Sequence, residues 1–355
     1  ASGFVGGWLV KLALERGHSV RACVRNAEDA RKAGFLKAMP EFGAGRLSVH
    51  SADMTKEGAY DEIFRGVHTV FHPAEVFMSF GNGRDLRQAA EEFGRPLGDS
   101  GETFLNSLCE GATLSSRHLV DSINKSGTVR RLIYTSSIAS VMTLSGEAMH
   151  SNPVIDERRE PDPRVGGPTG YGMTKRMNER LFAEAAAKST GRWSVLIGQP
   201  SDIVGPILSP HQAAETWQGK VAGLVAGTPP PQEPSGRPWT TVDVRDVAEA
   251  ELRLAESRGP ESGERFLLTS GDKIYPELLG PLVMELFPKY DLPSGLAEKP
   301  KPRRNQPVWF RVYTRTDRIE QATGMTWRSW DDTLKAMVDS LTSIGGVTPK
   351  MRSDL

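Results

Sequence analysis

Cysteine is nearly missing from this chain. Only Cys23 and Cys109 occur, with no CxxC pair and no Cys/His cluster at zinc spacing, so neither a disulfide framework nor a metal site is indicated. Two free thiols in a cytoplasmic protein is the expectation. No stretch approaches the roughly 18 consecutive apolar residues that span a bilayer, which argues against membrane insertion. Charge of one sign is not in excess either. The 44 Lys and Arg balance 44 Asp and Glu without a long single-sign block, so no capture of nucleic acid or anionic membrane is expected. The chain also lacks an initial Met and opens on "ASGFVGGWLV", with no strand ahead of its first glycines. A targeting segment ahead of Ala1 is therefore left open.

Apolar residues make up 38% of the 355, enough for one large α/β domain or two lobes. There is no internal repeat. Short β-rich apolar runs instead alternate with helical patterns, the sign of a parallel sheet. Val5, Leu9, Leu12 and Ala13 share one helical face, and Gly17 follows as a C-cap. Then "HSVRACVRN" predicts a strand ending at Arg25, "RLSVHSADM" a second, "HTVFHPAE" a third and "RRLIYTSSIAS" a fourth. Helical patterns lie between them, notably "SLCEGATLSSRHLVDSINKSG", and "WSVLIGQPSDIVGP" supplies a later strand broken by Pro200 and Pro206. The polar stretch "FMSFGNGRDLRQAAEEFGRPLGDSGE" reads as a surface insertion, and the prolines of "GTPPPQEPSGRP" prohibit regular structure. Beyond them, "WTTVDVRDVAEAELRLAES" predicts a strand and a helix with Val244, Val247, Ala248 and Leu252 inward. The last helix carries Trp330, Leu334, Met337, Val338 and Leu341 at core spacing.

Gly3 and Gly6 stand just before the first helix. In a dinucleotide-binding turn one glycine lets the backbone approach a pyrophosphate and another lets the helix pack closely, while the helix N-terminus offers N–H donors. Gly3 and Gly6 suit those two roles, with Phe4 and Val5 between them. About 20 residues on, such units place an acid for a ribose 2′-hydroxyl. Here Arg25 and Asn26 stand instead. An arginine there accommodates a 2′-phosphate, which favours NADP(H) over NAD, and Lys32 in the next helical stretch reaches the same group.

In "YGMTKRMNERLFAEAA", Tyr171 and Lys175 are four apart on a strong helix former and so project from one face. The strand "LIYTSS" ends in hydroxyls from Thr135, Ser136 and Ser137. Reducing a carbonyl needs a proton donor at oxygen while hydride arrives at carbon. A tyrosine of ordinary pKa, near 10, is a poor shuttle at neutral pH, and a neighbouring ammonium stabilises its phenolate. A serine hydroxyl would polarise the carbonyl.

At these residues the chain resembles the extended short-chain dehydrogenase/reductase family, within it the dihydroflavonol reductases, cinnamoyl-CoA reductases and related aldehyde or ketone reductases. The resemblance covers nearly the whole chain, through "ASGFVGGWLVKLALERGHSVRACVR", "SADMT", "VFHPA", "VRRLIYTSSIASV", "YGMTK", "PSDIVGP" and "VDVRDVAEA". It implies a Rossmann-type, doubly wound parallel sheet at 1–198 and a smaller substrate lobe formed mainly by 199–355, parts of which return to the first domain. It implies NADP-linked chemistry on a small carbonyl or alcohol, with Ser137 rather than Ser136 as the catalytic serine, Tyr171 as general acid/base and Lys175 as its partner. Arg25 and Lys32 match positions that grip a 2′-phosphate. Asp53 and Met54 match the pair beside the adenine, Ala74 a strand end near the cofactor, and Pro200 the start of a proline motif beside the nicotinamide. Gly3, Phe4, Val5 and Gly6, with Tyr171 and Lys175, complete the implied cofactor contacts.

The departures are as informative. The family's first strand and first glycine, normally in a "TGASGF" type sequence, are absent, so the expectation is a sheet missing a central strand, with poor stability or cofactor binding. Met142 stands where dihydroflavonol reductases carry Asn or Asp, and "GGPTGYGMTK" replaces the tryptophan/cysteine motif of cinnamoyl-CoA reductases. Neither named substrate is indicated. The alternatives are an NAD-dependent nucleotide-sugar epimerase or dehydratase, against which Arg25 counts, and a steroid dehydrogenase/isomerase. A non-catalytic cofactor-binding protein is the third, against which Tyr171 and Lys175 count. His68, His72 and His150 are isolated and expected to be structural or superficial.

Overall fold

The structure, a computed structural model, describes residues 1–74, 110–142, 154–159, 170–228, 239–274, 279–292 and 313–353. The expected insertion, the proline cluster beyond residue 228, Cys109, His150 and residues 166–169 lie outside the described residues.

The chain opens with α1 (Phe4–Glu15), closed as expected by Gly17 at φ +85°, and β1 (Val20–Val24) follows. Next come α2 (Ala30–Lys37), α3 (Pro40–Gly43), β2 (Leu47–Ser51) and β3 (Thr69–His72). The helix α4 (Glu110–Ser126) leads into β4 (Arg131–Thr135), then β5 (Val154–Ile155), α5 (Gly170–Lys188), β6 (Ser194–Pro200) and β7 (Asp202–Val204). The C-terminal part holds α6 (Thr216–Val225), β8 (Trp239–Asp243), α7 (Val244–Glu256), β9 (Arg265–Leu268) and β10 (Lys273–Ile274). It ends with α8 (Leu279–Leu286), β11 (Tyr313–Thr314), α9 (Asp317–Thr323) and α10 (Trp330–Ser343).

A four-stranded parallel sheet, ordered β3-β4-β6-β9, forms the centre. Its strands are apolar on both sides because both faces are covered. Leu119, Ile123, Phe182 and Ala186 of α4 and α5 meet Val70, Leu132, Tyr134 and Val195 on one face. Val247, Ala250 and Leu254 of α7 meet Ile133, Leu196, Phe266 and Leu268 on the other. This is the doubly wound α/β arrangement of Rossmann type. A third cluster joins Leu9 and Ala13 of α1 to the anticipated inward residues Val244, Ala248 and Leu252 and to Leu334, Met337, Val338 and Leu341 of α10.

Two readings of local structure need revision. The strand seen in "RRLIYTSSIAS" stops at Thr135, because the Ser137 side chain accepts the Ala139 N–H and caps a 3-10 turn over Ile138–Ser140. The stretch read as one strand broken by prolines is two strands in different sheets. Pro200 ends β6 opposite Leu268, and after Ser201 alone β7 pairs with β8 in a smaller sheet ordered β10-β8-β7. The strand β6 thus runs across residue 198, and β9 from the C-terminal half returns to the central sheet.

β1 pairs in parallel with β2, Val20 opposite Leu47, in a separate two-stranded sheet. Among the described residues no strand is hydrogen-bonded between β1 and β3. Arg21 of β1 reaches across, its Nη1 donating to the carbonyls of Ile63 and Arg65 at 2.6 and 2.7 Å, just ahead of β3. The Ala1 nitrogen donates to the Cys23 carbonyl at the same break.

Candidate active site

Five of the expected residues follow the carboxyl ends of parallel strands: Arg25 after β1, Asp53 after β2, Ala74 after β3, Ser137 after β4 and Pro200 at the end of β6. In open α/β sheets that end is where ligands bind.

The glycine turn comes first. Gly3 is the N-cap of α1 with no side chain capping it, and the first intrahelical bond runs from Gly7 N–H to Gly3 O at 2.9 Å. The amides of Phe4, Val5 and Gly6 precede that bond and are donors at the positive end of the helix. A Cβ on Gly3 would meet nothing within 4 Å, whereas one on Gly6 would sit 3.0 Å from Ala1 Cα. Gly3 therefore faces open space, whereas a side chain at Gly6 would crowd the backbone of Ala1. The side chains of Phe4 and Val5 turn into the core, so only their backbone faces the turn. Two residues unforeseen in the sequence brace it: His211 Nε2 bonds Ser2 O at 2.8 Å, and Gln212 Nε2 donates to Ser2 O and Gly3 O at 3.2 and 3.3 Å.

Arg25 and Lys32 are exposed, and Arg25 lies near enough to Asp53 to act on it. The Thr55 hydroxyl and amide hold the Asp53 carboxyl below the usual range, with Lys56 and Arg25 adding to the effect. Asp29 caps α2 by accepting the amides of Arg31 and Lys32, so at that helix start a phosphate is left with the side chains. Met54 is half-buried and packs against the core cluster that holds Tyr60 and Val70. Ala74 is exposed just past β3, and Pro200 is buried.

The second cluster sits where α5 crosses the end of β4. Tyr171, in the first turn of α5, is 37% exposed, while Lys175 one turn on is 4% exposed. Lys175 Nζ lies 5.7 Å from the Tyr171 ring centre and donates to Thr135 O at 3.0 Å, two residues before Ser137. The two serines differ. Ser136 is buried and donates to Glu179 Oε1 at 2.5 Å, while Ser137 accepts the Ala139 N–H at 3.1 Å and donates its proton to no described residue. Glu179, Ser140 and Gln199 were not singled out from the sequence. Glu179 Oε1 also accepts from Ser140 Oγ at 2.7 Å and Gln199 Nε2 at 2.9 Å, and Oε2 pairs with Arg176 at 2.9 Å. The cluster thus locks the β4 turn onto α5.

His72 is structural, as expected for an isolated histidine. It stacks on Tyr134 at 6.0 Å with Phe182 edge-on at 5.9 Å. Burial, reinforced by the charge of Lys175, lowers its pKa from 6.5 to about 3. An unfolded chain binds that proton near 6.5, so the stability that neutral His72 permits at neutral pH is lost as pH falls from 6.5 toward 3. Replacing His72 by Phe should flatten the fall in unfolding free energy below pH 6.5, read from urea melts at each pH. An unchanged slope would contradict this.

Among the described residues no helix is long and apolar enough to cross a membrane. A family model described as NAD(P)H-binding matches residues 1–158, and that of the NAD dependent epimerase/dehydratase family matches 105–269. Cinnamoyl-CoA reductase CAD2 of Medicago truncatula is 28% identical over 343 residues, covering 96% of this chain and 93% of that protein. Cinnamoyl-CoA reductase 1 of Oryza sativa subsp. japonica is 30% identical over 310 residues, covering 85% and 78%. Yeast methylglyoxal/isovaleraldehyde reductase Gre2, solved in complex with NADPH, superposes with a TM-score of 0.71 at 20% identity over 98% of both chains. In sequence and in its parallel-sheet fold, the chain belongs to the NAD(P)-binding epimerase/dehydratase family, the extended short-chain dehydrogenases/reductases, and its relatives there are reductases.

Proposed function

We propose that the protein is an NADPH-dependent reductase of aldehydes or ketones, with Tyr171 as general acid, Lys175 as its cationic partner and Ser137 as donor to the substrate carbonyl. The supporting observation is the placement of an exposed tyrosine one turn from a buried lysine that is itself hydrogen-bonded to the strand end carrying Ser137. When bound, NADPH supplies the hydride. Ser137 donates its unshared hydroxyl proton to the carbonyl oxygen and polarises it. Tyr171 gives that oxygen its proton, and the Lys175 ammonium offsets the charge left on the phenol oxygen. Burial of Lys175 strengthens this effect, since little water screens it.

The residues present fit the cofactor. The amides of Phe4, Val5 and Gly6 and the open side of Gly3 suit a pyrophosphate, Arg25 and Lys32 a 2′-phosphate, and Asp53 the adenosine end. The substrate lobe is formed mainly by 199–355, with β9 serving the central sheet. Incubation with NADPH and a panel of aldehydes and ketones, followed by NADPH absorbance, tests the activity. Consumption by none of them would contradict it.

Arg25→Ala tests the cofactor assignment. A charge-assisted hydrogen bond contributes about 1.5–3 kcal/mol, so NADPH binding should weaken roughly tenfold to a hundredfold while NADH binding is unaffected. Fluorescence titration reads both. Equal losses for the two cofactors would place Arg25 away from the 2′-phosphate.

A further inference from the structure

On the far side of the sheet from Tyr171, α7 presents a carboxyl to the end of β4. Glu251 is 0% exposed, and neither of its oxygens makes a hydrogen bond. It lies over Gly198 of β6, where a Cβ would come within 3.2 Å of Glu251 Oε1. Gly198 is the register partner of Thr135 on β4. The Thr135 hydroxyl, also buried and with no formed hydrogen bond, is close enough to Glu251 to favour its charged form. The carbonyl of the same Thr135 takes the hydrogen bond from Lys175 Nζ at 3.0 Å. One residue, at the end of one strand, thus stands between the buried carboxyl and the buried ammonium.

We propose that Glu251 is a positioning residue for the reaction, a buried counter-charge that acts on Lys175 from the opposite face of the sheet across Thr135. The proposal rests on the assignment of Lys175 and Tyr171 given above. A carboxyl in such a place serves packing poorly, since an apolar side chain would fill it without an unmet polar group. What it offers is a charge that can be present or absent beside Lys175. While Glu251 is neutral, the field of Lys175 acts undiminished on Tyr171. Once Glu251 ionises, part of that field is offset, and the phenol oxygen is stabilised less as its proton leaves.

The other charged groups around α7 are engaged elsewhere. On α7 itself Arg245 pairs with Asp243, Arg253 and, just past α1, Arg16 with Glu249, and Asp246 with Arg328. On β7, Asp202 accepts the Thr240 amide, and on α9, Arg318 meets Glu157 and Glu264, and Glu320 accepts from Thr316. Arg131 of β4 bonds the carbonyls at the C-terminal end of α7, from Leu254 to Ser257. Lys11 and Glu15 of α1 pair with each other at the surface. β6 carries no ionisable side chain. Lys175 is the charge that reaches Glu251. Burial raises the pKa of Glu251, the Thr135 hydroxyl and Lys175 pull it part of the way back, and the balance stands at about 8.

Two readouts test this. In the wild-type protein, difference infrared spectra across increasing pH should lose a protonated-carboxyl C=O band near pH 8, a band absent from Glu251→Gln. In Lys175→Met the same loss should move to higher pH, because the cation that favours ionisation is gone. The pH profile of kcat should fall with an inflection in that range, and Glu251→Gln should lose the inflection. A band unmoved by Lys175→Met, or an inflection that persists in Glu251→Gln, overturns the proposal. Should the Gln variant not fold, the wild-type and Lys175→Met spectra decide alone. Turnover surviving Tyr171→Phe overturns the catalytic assignment instead, a failure separate from the coupling that the spectra read.

Discussion

Tyr171→Phe is expected to lower turnover of an aldehyde or ketone by about 10²–10⁴-fold, the usual contribution of a positioned general acid. The substitution removes one hydroxyl from a side chain 37% exposed and leaves its ring beside Lys175 Nζ, 5.7 Å from the ring centre. The ring and its packing are kept, so the fold and NADPH binding should survive. That separation of outcomes distinguishes the readings. In a reductase turnover collapses while titrated NADPH still binds. In a protein that holds the cofactor without chemistry there is no turnover to lose, and Tyr171→Phe changes nothing measurable. Turnover that persists would mean that another group delivers the proton and that the tyrosine-lysine spacing is incidental.

The largest loss of stability should follow Glu179→Ala. Glu179 is 2% exposed and gathers the Ser136 and Ser140 hydroxyls and the Gln199 amide on one oxygen, with Arg176 at 2.9 Å and Arg265 at 3.6 Å on the other. Removing it takes the carboxylate from beside two guanidinium groups and leaves the Ser136 hydroxyl without its acceptor, while Ser140 Oγ keeps Ser137 O and Gln199 Nε2 keeps Ser140 Oγ. Deleting one member of a buried ion pair typically costs about 3–5 kcal/mol because the remaining charge is stranded. Equilibrium urea unfolding should show a lower midpoint of that order. Glu179→Gln, which keeps an acceptor for the serines, should lose less. If both variants melt with the wild type, the network is decorative and Ser137 is held by the cap on its own turn. If the Ala variant is destabilised yet kcat per folded molecule is unchanged, the network supports the fold and leaves the chemistry alone.

The parallel sheet was legible because each strand is a short apolar run bounded by polar or glycine residues, and covered sheets need such runs. Val244, Val247, Ala248 and Leu252 were legible for the matching reason, as an apolar stripe at helical spacing. Glu251 lies on that same stripe, three residues after Ala248, and was passed over because a charged residue does not count toward an apolar periodicity. Glu179 was missed in spite of a signal: it follows Lys175 by four residues as Lys175 follows Tyr171, so all three share a face of α5. The sequence distinguished Ser137 from Ser136 only through family resemblance, whereas the structure separates them by whether the hydroxyl is committed to Glu179. His211 and Gln212 could not be foreseen, since their partners are the backbone oxygens of Ser2 and Gly3, about 200 positions away in sequence, and backbone atoms leave no mark in side-chain pattern.

The single residue between β6 and β7 bears on which changes of chain length this protein tolerates. Pro200 is in register with Leu268 in one sheet, Asp202 with Thr241 in another, and the Ser201 amide bonds Leu268 O at 3.0 Å. Side chains in a strand alternate with a period of two, so one added or deleted residue here would turn buried Val204 outward and bring its neighbours inward. It would also pull the end of β6 out of step with the β4 turn that carries Ser137. Substitution at Ser201 is a local matter, whereas an insertion or deletion there exchanges the inside and outside of a whole sheet edge. Over evolutionary time, drift in length belongs to other connections of this chain, and at this junction homologous proteins should differ in letters and not in number.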